Sequence, residues 1–232
     1  MPDPCDDAPP PPLNWDEWLD AARALNAAPD NFDAFQADCQ RLYHALIEAN
    51  RTMNLTRLTA PEDFLRRHAL DSLTVLPFIP HGARVADVGS GAGFPALPLA
   101  LARPDLSVVA IEATGKKCRF IEAMREALAL ESRLTVVNAR SEDLTRHPDF
   151  AGRFDVVTAR AVAALPKLAP WTLPLLKPGG RLLAIKGRPT ARQELTAAKD
   201  ALRRFAGVRA QIHEPPHDWT AQTAVIILET PL

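Results

Sequence analysis

Residues 85–112, VADVGSGAGFPALPLALARPDLSVVAIE, constrain the fold of this chain more than any other stretch. An apolar run ends in a glycine-rich turn, a segment with helical periodicity follows, and a second apolar run closes on an acid. Apolar runs without polar alternation are typical of strands buried on both faces of a parallel sheet, and parallel neighbours need a crossover of about this length. The expected unit is strand, turn, helix, strand.

The pattern repeats downstream. Candidate strands cover residues 84–87, 107–112, 134–138, 154–159, 181–186, 208–213 and 224–229, with helical stretches between most of them. Only PPHDWTAQT separates the last two, so that pair is expected to be antiparallel. The fold class is therefore α/β, a seven-stranded mostly parallel sheet with helices on both faces, over residues 81–232. Ahead of it, residues 13–80 have helical periodicity, with Phe35, Cys39, Leu42 and Leu46 on one face and Asn31 as a candidate N-cap. Residues 1–12 are proline-rich and acidic, a composition expected to stay disordered.

Bulk properties narrow the function. No apolar run approaches the roughly 18 residues that span a bilayer, and the start lacks the basic and apolar blocks of a signal peptide, so a cytoplasmic protein without a membrane partner is expected. Three widely spaced cysteines form neither a disulfide framework nor a metal site. Formal net charge is -1, but Asp3, Asp6 and Asp7 supply three negative charges, leaving a formal +2 on the rest. Any cationic surface must therefore be local. A monomer is the default expectation.

Ligands of parallel sheets collect at the carboxyl ends of the strands, where the glycine turn lies. Gly89, Gly91 and Gly93 form G-x-G-x-G, and Phe94 stands where a dinucleotide fold places its third glycine. Pyrophosphate binding is thereby disfavoured, and the chain has no P-loop motif. A phosphate-free nucleoside fits better, with the Glu112 carboxylate accepting hydrogen bonds from ribose hydroxyls. S-adenosylmethionine has such a ribose, and its cationic groups suit the nearby Asp87. The turn with its acid points to a class I methyltransferase, Rossmann-like in fold. The alternative is a merely tight turn in which Asp87 caps the next helix.

Further motifs carry a specific resemblance. MNLT (residues 53–56), RHALDSL (67–73), DVGSGAGFP (87–95), GKK (115–117), RSEDL (140–144), TARAVA (158–163), LLKPGG (175–180) and IKG (185–187) occur in this order. Together they resemble the ribosomal small subunit methyltransferase G family, also called glucose-inhibited division protein B. The resemblance implies methyl transfer from S-adenosylmethionine to N7 of one guanine in a decoding-region loop of 16S rRNA, free or within the small ribosomal subunit. It also implies cofactor contacts at Gly89, Phe94, Ser141, Glu142 and Arg160; Glu112 is added by the ribose argument. Ala96 departs from the family's usual glycine.

The residues fit that chemistry. The fourth strand ends in TARA, without the [DNS]-P-P-[YF] motif used on exocyclic amines, and Cys118 lies in a helical stretch, unsuited to attack on a pyrimidine. Guanine N7 has a free lone pair and no proton to lose, so alignment can dominate catalysis. Arg160 is the candidate catalytic residue, holding the guanine or the cofactor carboxylate; the alternative is a salt bridge with Asp155 or Glu142. Lys186 is either a phosphate contact or a solvated lysine. Lys177, Arg181, Lys186, Arg188 and Arg192 lie in a stretch without acids and, with Arg51, Arg57, Arg66 and Arg67, form a candidate RNA groove. His68 and Asp71 share a helical face at three-residue spacing, which alone reads as a helix-surface hydrogen bond; the resemblance implies instead that they close the cofactor pocket from the N-terminal region. Two other functions are open: a methyltransferase for a small molecule or protein, and a non-enzymatic RNA-binding or cofactor-sensing module.

Overall fold

The computed structural model describes residues 12–232, so the tail expected over residues 1–12 lies, except for Pro12, outside the described residues. Seven strands form one sheet: β1 (Arg84–Val88), β2 (Ser107–Glu112), β3 (Leu134–Asn138), β4 (Phe154–Arg160), β5 (Leu176–Gly187), β6 (Arg209–His213) and β7 (Thr223–Glu229). Their order is β3-β2-β1-β4-β5-β7-β6. The first five strands pair in parallel, and β7 runs antiparallel to both β5 and β6. The expected sheet and its antiparallel end are present. β5 begins five residues before the expected run because the LKPGG segment continues the strand past a register shift opposite Phe154–Val156.

The strands alternate strictly between two cores. Val85, Val108, Val156, Leu183 and Val225 face one layer, while their neighbours Ala86, Val109, Val157, Ala184 and Ile226 face the other. The first layer holds α1 (Trp18–Ala24), α2 (Phe32–Met53), α5 (Ala96–Ala102) and α6 (Gly115–Ala127). It also holds a helical segment made of α3 (Pro61–Asp63), the π-helix Phe64–Leu70 and α4 (Asp71–Leu73). The second layer holds α7 (Ser141–Leu144), α8 (Leu165–Thr172), α9 (Arg188–Ala197) and α10 (Lys199–Leu202).

Residues 13–80 thus share a hydrophobic core with the sheet. Asn31 caps α2, its Oδ1 accepting from the Ala34 N–H at 3.1 Å, and Asn54 closes the helix in the left-handed region. Trp18 is fully buried, stacks on Phe35 at 5.3 Å and donates its indole N–H to the Leu65 carbonyl at 3.0 Å. That bond ties α1 to the π-helix. No helix among the described residues is long and apolar enough to cross a membrane.

Trp18→Ala removes this packing and the indole donor together. Denaturant unfolding should show a loss of about 3–5 kcal/mol, whereas a loss below about 1 kcal/mol would contradict the role given to this contact.

Candidate functional site

The chain turns back on itself between β1 and β4, so the crevice past their carboxyl ends is the topological switch point of the sheet. The glycine turn closes one side of it. Gly89 has φ +69°, a conformation that side chains rarely adopt, and a Cβ there would meet Val162 Cγ2 at 2.6 Å. Gly93 has φ +90°, and a Cβ there would collide with the Leu97 side chain. Both glycines are required by backbone shape and close packing.

Asp87 organises the turn from beneath. It is fully buried, with Oδ1 accepting from Thr158 Oγ at 2.9 Å and Oδ2 from the Ala96 N–H at 3.2 Å, at the start of α5. Burial pushes its pKa up to about 6, against the opposing pull of these hydrogen bonds. Asp87 therefore caps the helix, as the alternative sequence reading had it. Phe94 turns away from the sheet toward the N-terminal helices, so its bulk does not separate α5 from β1. It stacks on His68 at 4.4 Å and meets Phe64 edge-on at 6.0 Å.

A cavity of about 500 Å³ opens at this crevice. Gly89, Phe94, Glu112, Ser141, Glu142 and Arg160, the six residues singled out from sequence, all line it. Glu112 ends β2 with only 6% exposure; its carboxylate accepts from the Gly91 N–H at 2.9 Å and the Thr114 N–H at 2.8 Å. These bonds fix its orientation and leave lone pairs for a further donor. Ser141 Oγ donates to Glu142 at 3.2 Å at the start of α7. Cys118 is buried in α6 and donates to the Glu112 carbonyl, a packing role.

Arg160 is the last residue of β4, and its neighbour Ala161 takes φ +55°, a strained value for alanine. The guanidinium donates to the Arg67 carbonyl and to His68 Nδ1, the latter at 3.2 Å, and lies 5.5 Å over the Phe94 ring. Neither acid proposed as its salt-bridge partner takes that role: Asp155 binds Lys177 at 2.7 Å and Glu142 accepts from Ser141.

His68 and Asp71 do not hydrogen-bond to each other, because the π-helix widens the turn and sends them apart. His68 is buried between Phe94 and Arg160, with Nε2 3.2 Å from Thr56 Oγ. Arginine can only donate, so Nδ1 is an acceptor and Nε2 carries the proton. Burial first, and Arg160 second, lower the His68 pKa to about 3. Asp71 instead reaches β7, where Thr223 Oγ donates to its Oδ1 at 2.7 Å. It lines a second cavity of about 510 Å³ that shares Arg160, Ala161 and Val162 with the first. Burial raises the Asp71 pKa, opposed by Thr223 and Arg160.

The expected cationic groove needs correction. All five residues of the acid-free stretch have carboxylate neighbours from elsewhere in the chain. Lys177 pairs with Asp155, Arg181 with Glu229, Lys186 with Glu194, and Arg188 and Arg192 both approach Glu214. Lys186 is only 7% exposed and also donates to the Ala163 carbonyl, so it is neither a solvated lysine nor an open phosphate contact. Arg66 pairs with Glu62. The cations bordering the first cavity beside Arg160 are Lys117 and Arg140, with exposed Arg67 at the second. Arg140 directly precedes Ser141, a signal available in the sequence; Trp171 lines the first cavity from α8 without one.

Comparison with known proteins agrees with this geometry. The family model for rRNA small subunit methyltransferase G (GidB) matches residues 36–215. The chain belongs to that family. The protein named ribosomal RNA small subunit methyltransferase G from Lactobacillus delbrueckii subsp. bulgaricus is 39% identical over 191 residues, covering 80% of this chain and 79% of the relative. Its namesake from Trichormus variabilis is 38% identical over 182 residues, covering 75% and 74%. Among solved structures, the O-methyltransferase from Bacillus cereus in complex with SAH aligns with TM-score 0.57 at 16% identity, covering 82% of this chain and 91% of that one. The structural likeness shows the class I methyltransferase fold; the sequence relatives show the small subunit methyltransferase G family.

His68 gives the site a pH signature. A histidine with a folded pKa near 3 is neutral in the folded state while the unfolded chain takes up a proton below about 6.5. Its contribution is therefore constant above pH 7 and erodes as pH falls. Compared with His68→Phe, which keeps a ring on Phe94, the wild-type protein should lose about 1.4 kcal/mol per pH unit between pH 6 and 4. A difference in unfolding free energy that does not vary with pH would contradict the buried neutral imidazole.

Proposed function

We propose that this protein transfers a methyl group from S-adenosylmethionine to N7 of a guanine in the decoding-region loop of 16S rRNA. The observation that carries the reading is the gathering of Gly89, Phe94, Glu112, Ser141, Glu142 and Arg160 around one cavity at the switch point. Its volume is in the range of small-molecule sites. Glu112 is held by two backbone N–H groups and retains acceptor capacity for the ribose hydroxyls. Ser141 and Glu142 flank the adenine side, while Phe94 supplies an aromatic wall. S-adenosylmethionine would supply an electrophilic methyl group there.

The chain's own residues then bind and orient. His68 has both ring nitrogens engaged and does not take up a proton near neutral pH, so it is not a general base. A lone-pair nucleophile such as N7 requires none. Arg160, held by the π-helix backbone and by His68, stands at the divide between the two cavities and positions the acceptor. Lys117, Arg140 and Arg67 provide cations at the rim for RNA phosphates. The ribosomal subunit, or an assembly intermediate of it, is the substrate proposed, and the protein acts as a monomer in the cytoplasm.

The test uses labelled S-adenosylmethionine with 30S subunits lacking the modification, followed by borohydride reduction and aniline cleavage, which cut RNA at 7-methylguanosine. One cleavage site in the decoding-region loop is expected, and none with free nucleosides as acceptor. Label in protein or in a small molecule alone would refute the proposal. Arg160→Ala should retain its circular dichroism spectrum yet lose transfer by at least roughly 100-fold. Calorimetry should show S-adenosylmethionine binding to the wild type, weakened roughly 10-fold or more by Gly89→Ala through steric loss at the turn.

A further inference from the structure

The second cavity holds two acids, and they differ in how their charge is met: Glu194 is ion-paired to Lys186, whereas Asp71 is held by the Thr223 hydroxyl. Glu194 Oε2 accepts from Lys186 Nζ at 2.8 Å and from the Leu165 N–H at 2.9 Å. Asp71 receives the Thr223 hydroxyl on Oδ1, leaving Oδ2 and the remaining lone pairs for a donor in the cavity. It is half-buried, and the charges around it are those of Arg160 and Arg67. A carboxylate placed thus accepts two parallel N–H donors well.

Among the RNA bases, guanine alone offers two adjacent donors on one edge, N1–H and the 2-amino group. Adenine and cytosine place a ring acceptor beside their amino group, and uracil places one N–H between two carbonyls. Guanine N7 lies on the side of the ring away from that donor edge. With N7 turned to the wall shared by the cavities, N1–H and the 2-amino group would point toward the interior of the second cavity, because O6 lies between N7 and N1 on the ring.

Resting on the reading of the first cavity as the methyl-donor site, we infer that the second cavity receives the flipped guanine and that the Asp71 carboxylate reads its N1–H and 2-amino edge. In the reaction the N7 lone pair forms the new bond to the methyl carbon while the carbon–sulfur bond breaks with its electrons going to sulfur. No proton leaves the base, and the purine ring becomes cationic. N1–H becomes a stronger donor as that charge develops, so its bond to Asp71 strengthens on the way to the transition state. Asp71 is thus a reader of base identity and a stabiliser of the cation, beside arginines that would otherwise oppose it.

Asp71→Asn separates this from a structural role, because the amide oxygen can still accept from Thr223 while the amide nitrogen faces the guanine donors with another donor. Three quantities are measured: melting temperature, S-adenosylmethionine affinity by calorimetry, and kcat/KM on 30S subunits carrying guanine or inosine at the target. Inosine lacks only the 2-amino group. The expected result is unchanged melting and cofactor affinity, a loss in kcat/KM of roughly 100-fold on guanine, and an inosine penalty of about 10-fold in the wild type that disappears in the variant. The inference is overturned if the variant works within about 3-fold of the wild type, or if its inosine penalty equals that of the wild type. Failure of the wild type to methylate guanine would instead overturn both this inference and the proposed function, so the two failures are distinct.

Discussion

The site depends on one imidazole. His68 lies in the N-terminal helical segment, yet it is packed between Phe94 of the glycine turn and Arg160 of β4, so three separate parts of the chain meet at its ring. The turn could be built by the sheet alone, because Asp87 holds its helix and Ile111 accepts from the Gly89 and Ser90 N–H groups. Arg160 could not be placed that way, since its partners Arg67 and His68 both belong to the π-helix. The N-terminal helices are therefore part of the pocket wall, and Trp18 supports them by holding Leu65.

Keeping that imidazole neutral has an electrostatic logic. A protonated ring would face Arg160 with both of its nitrogens donating, removing the acceptor that Arg160 uses and adding a charge beside it. Asp71 and Asp87 are the carboxylates that compensate the Arg160 charge, and the raised pKa of Asp87 reflects burial that hydrogen bonds only partly offset. The pocket thus combines a fixed cation, a neutral ring and carboxylates at its two ends. Such an arrangement suits alignment and charge stabilisation more than proton transfer.

Much of this was legible in the sequence, for identifiable reasons. Strand runs buried on both faces have a strong apolar signal, and all seven were located, because Val85/Ala86 and Val156/Val157 pairs must satisfy both cores. The glycine turn and Glu112 were legible because strand ends are where a parallel sheet binds ligands. The ion pairs that engage the expected cationic groove are not legible, because order along the chain hides partners from other strands: Glu229 comes to Arg181 only through the β5–β7 pairing. The helix-surface hydrogen bond between His68 and Asp71 is absent because three-residue spacing assumes an α-helix and the residues between them are π-helical, whereas His68 does line the first cavity from the N-terminal region. The second cavity had no linear signature, since Asp71 and Thr223 are 152 residues apart.

Arg160, Ala161 and Val162 form the wall shared by the two cavities, the first proposed for the methyl donor and the second for its acceptor. A crystal structure of the protein with S-adenosylhomocysteine and guanosine monophosphate tests this assignment most directly. The expected structure has the adenosyl ribose on Glu112, the purine in the cavity lined by Asp71, and the sulfur facing N7 past Ala161. An adenosyl group in the Asp71 cavity, or ribose hydroxyls pointing away from Glu112, would contradict it.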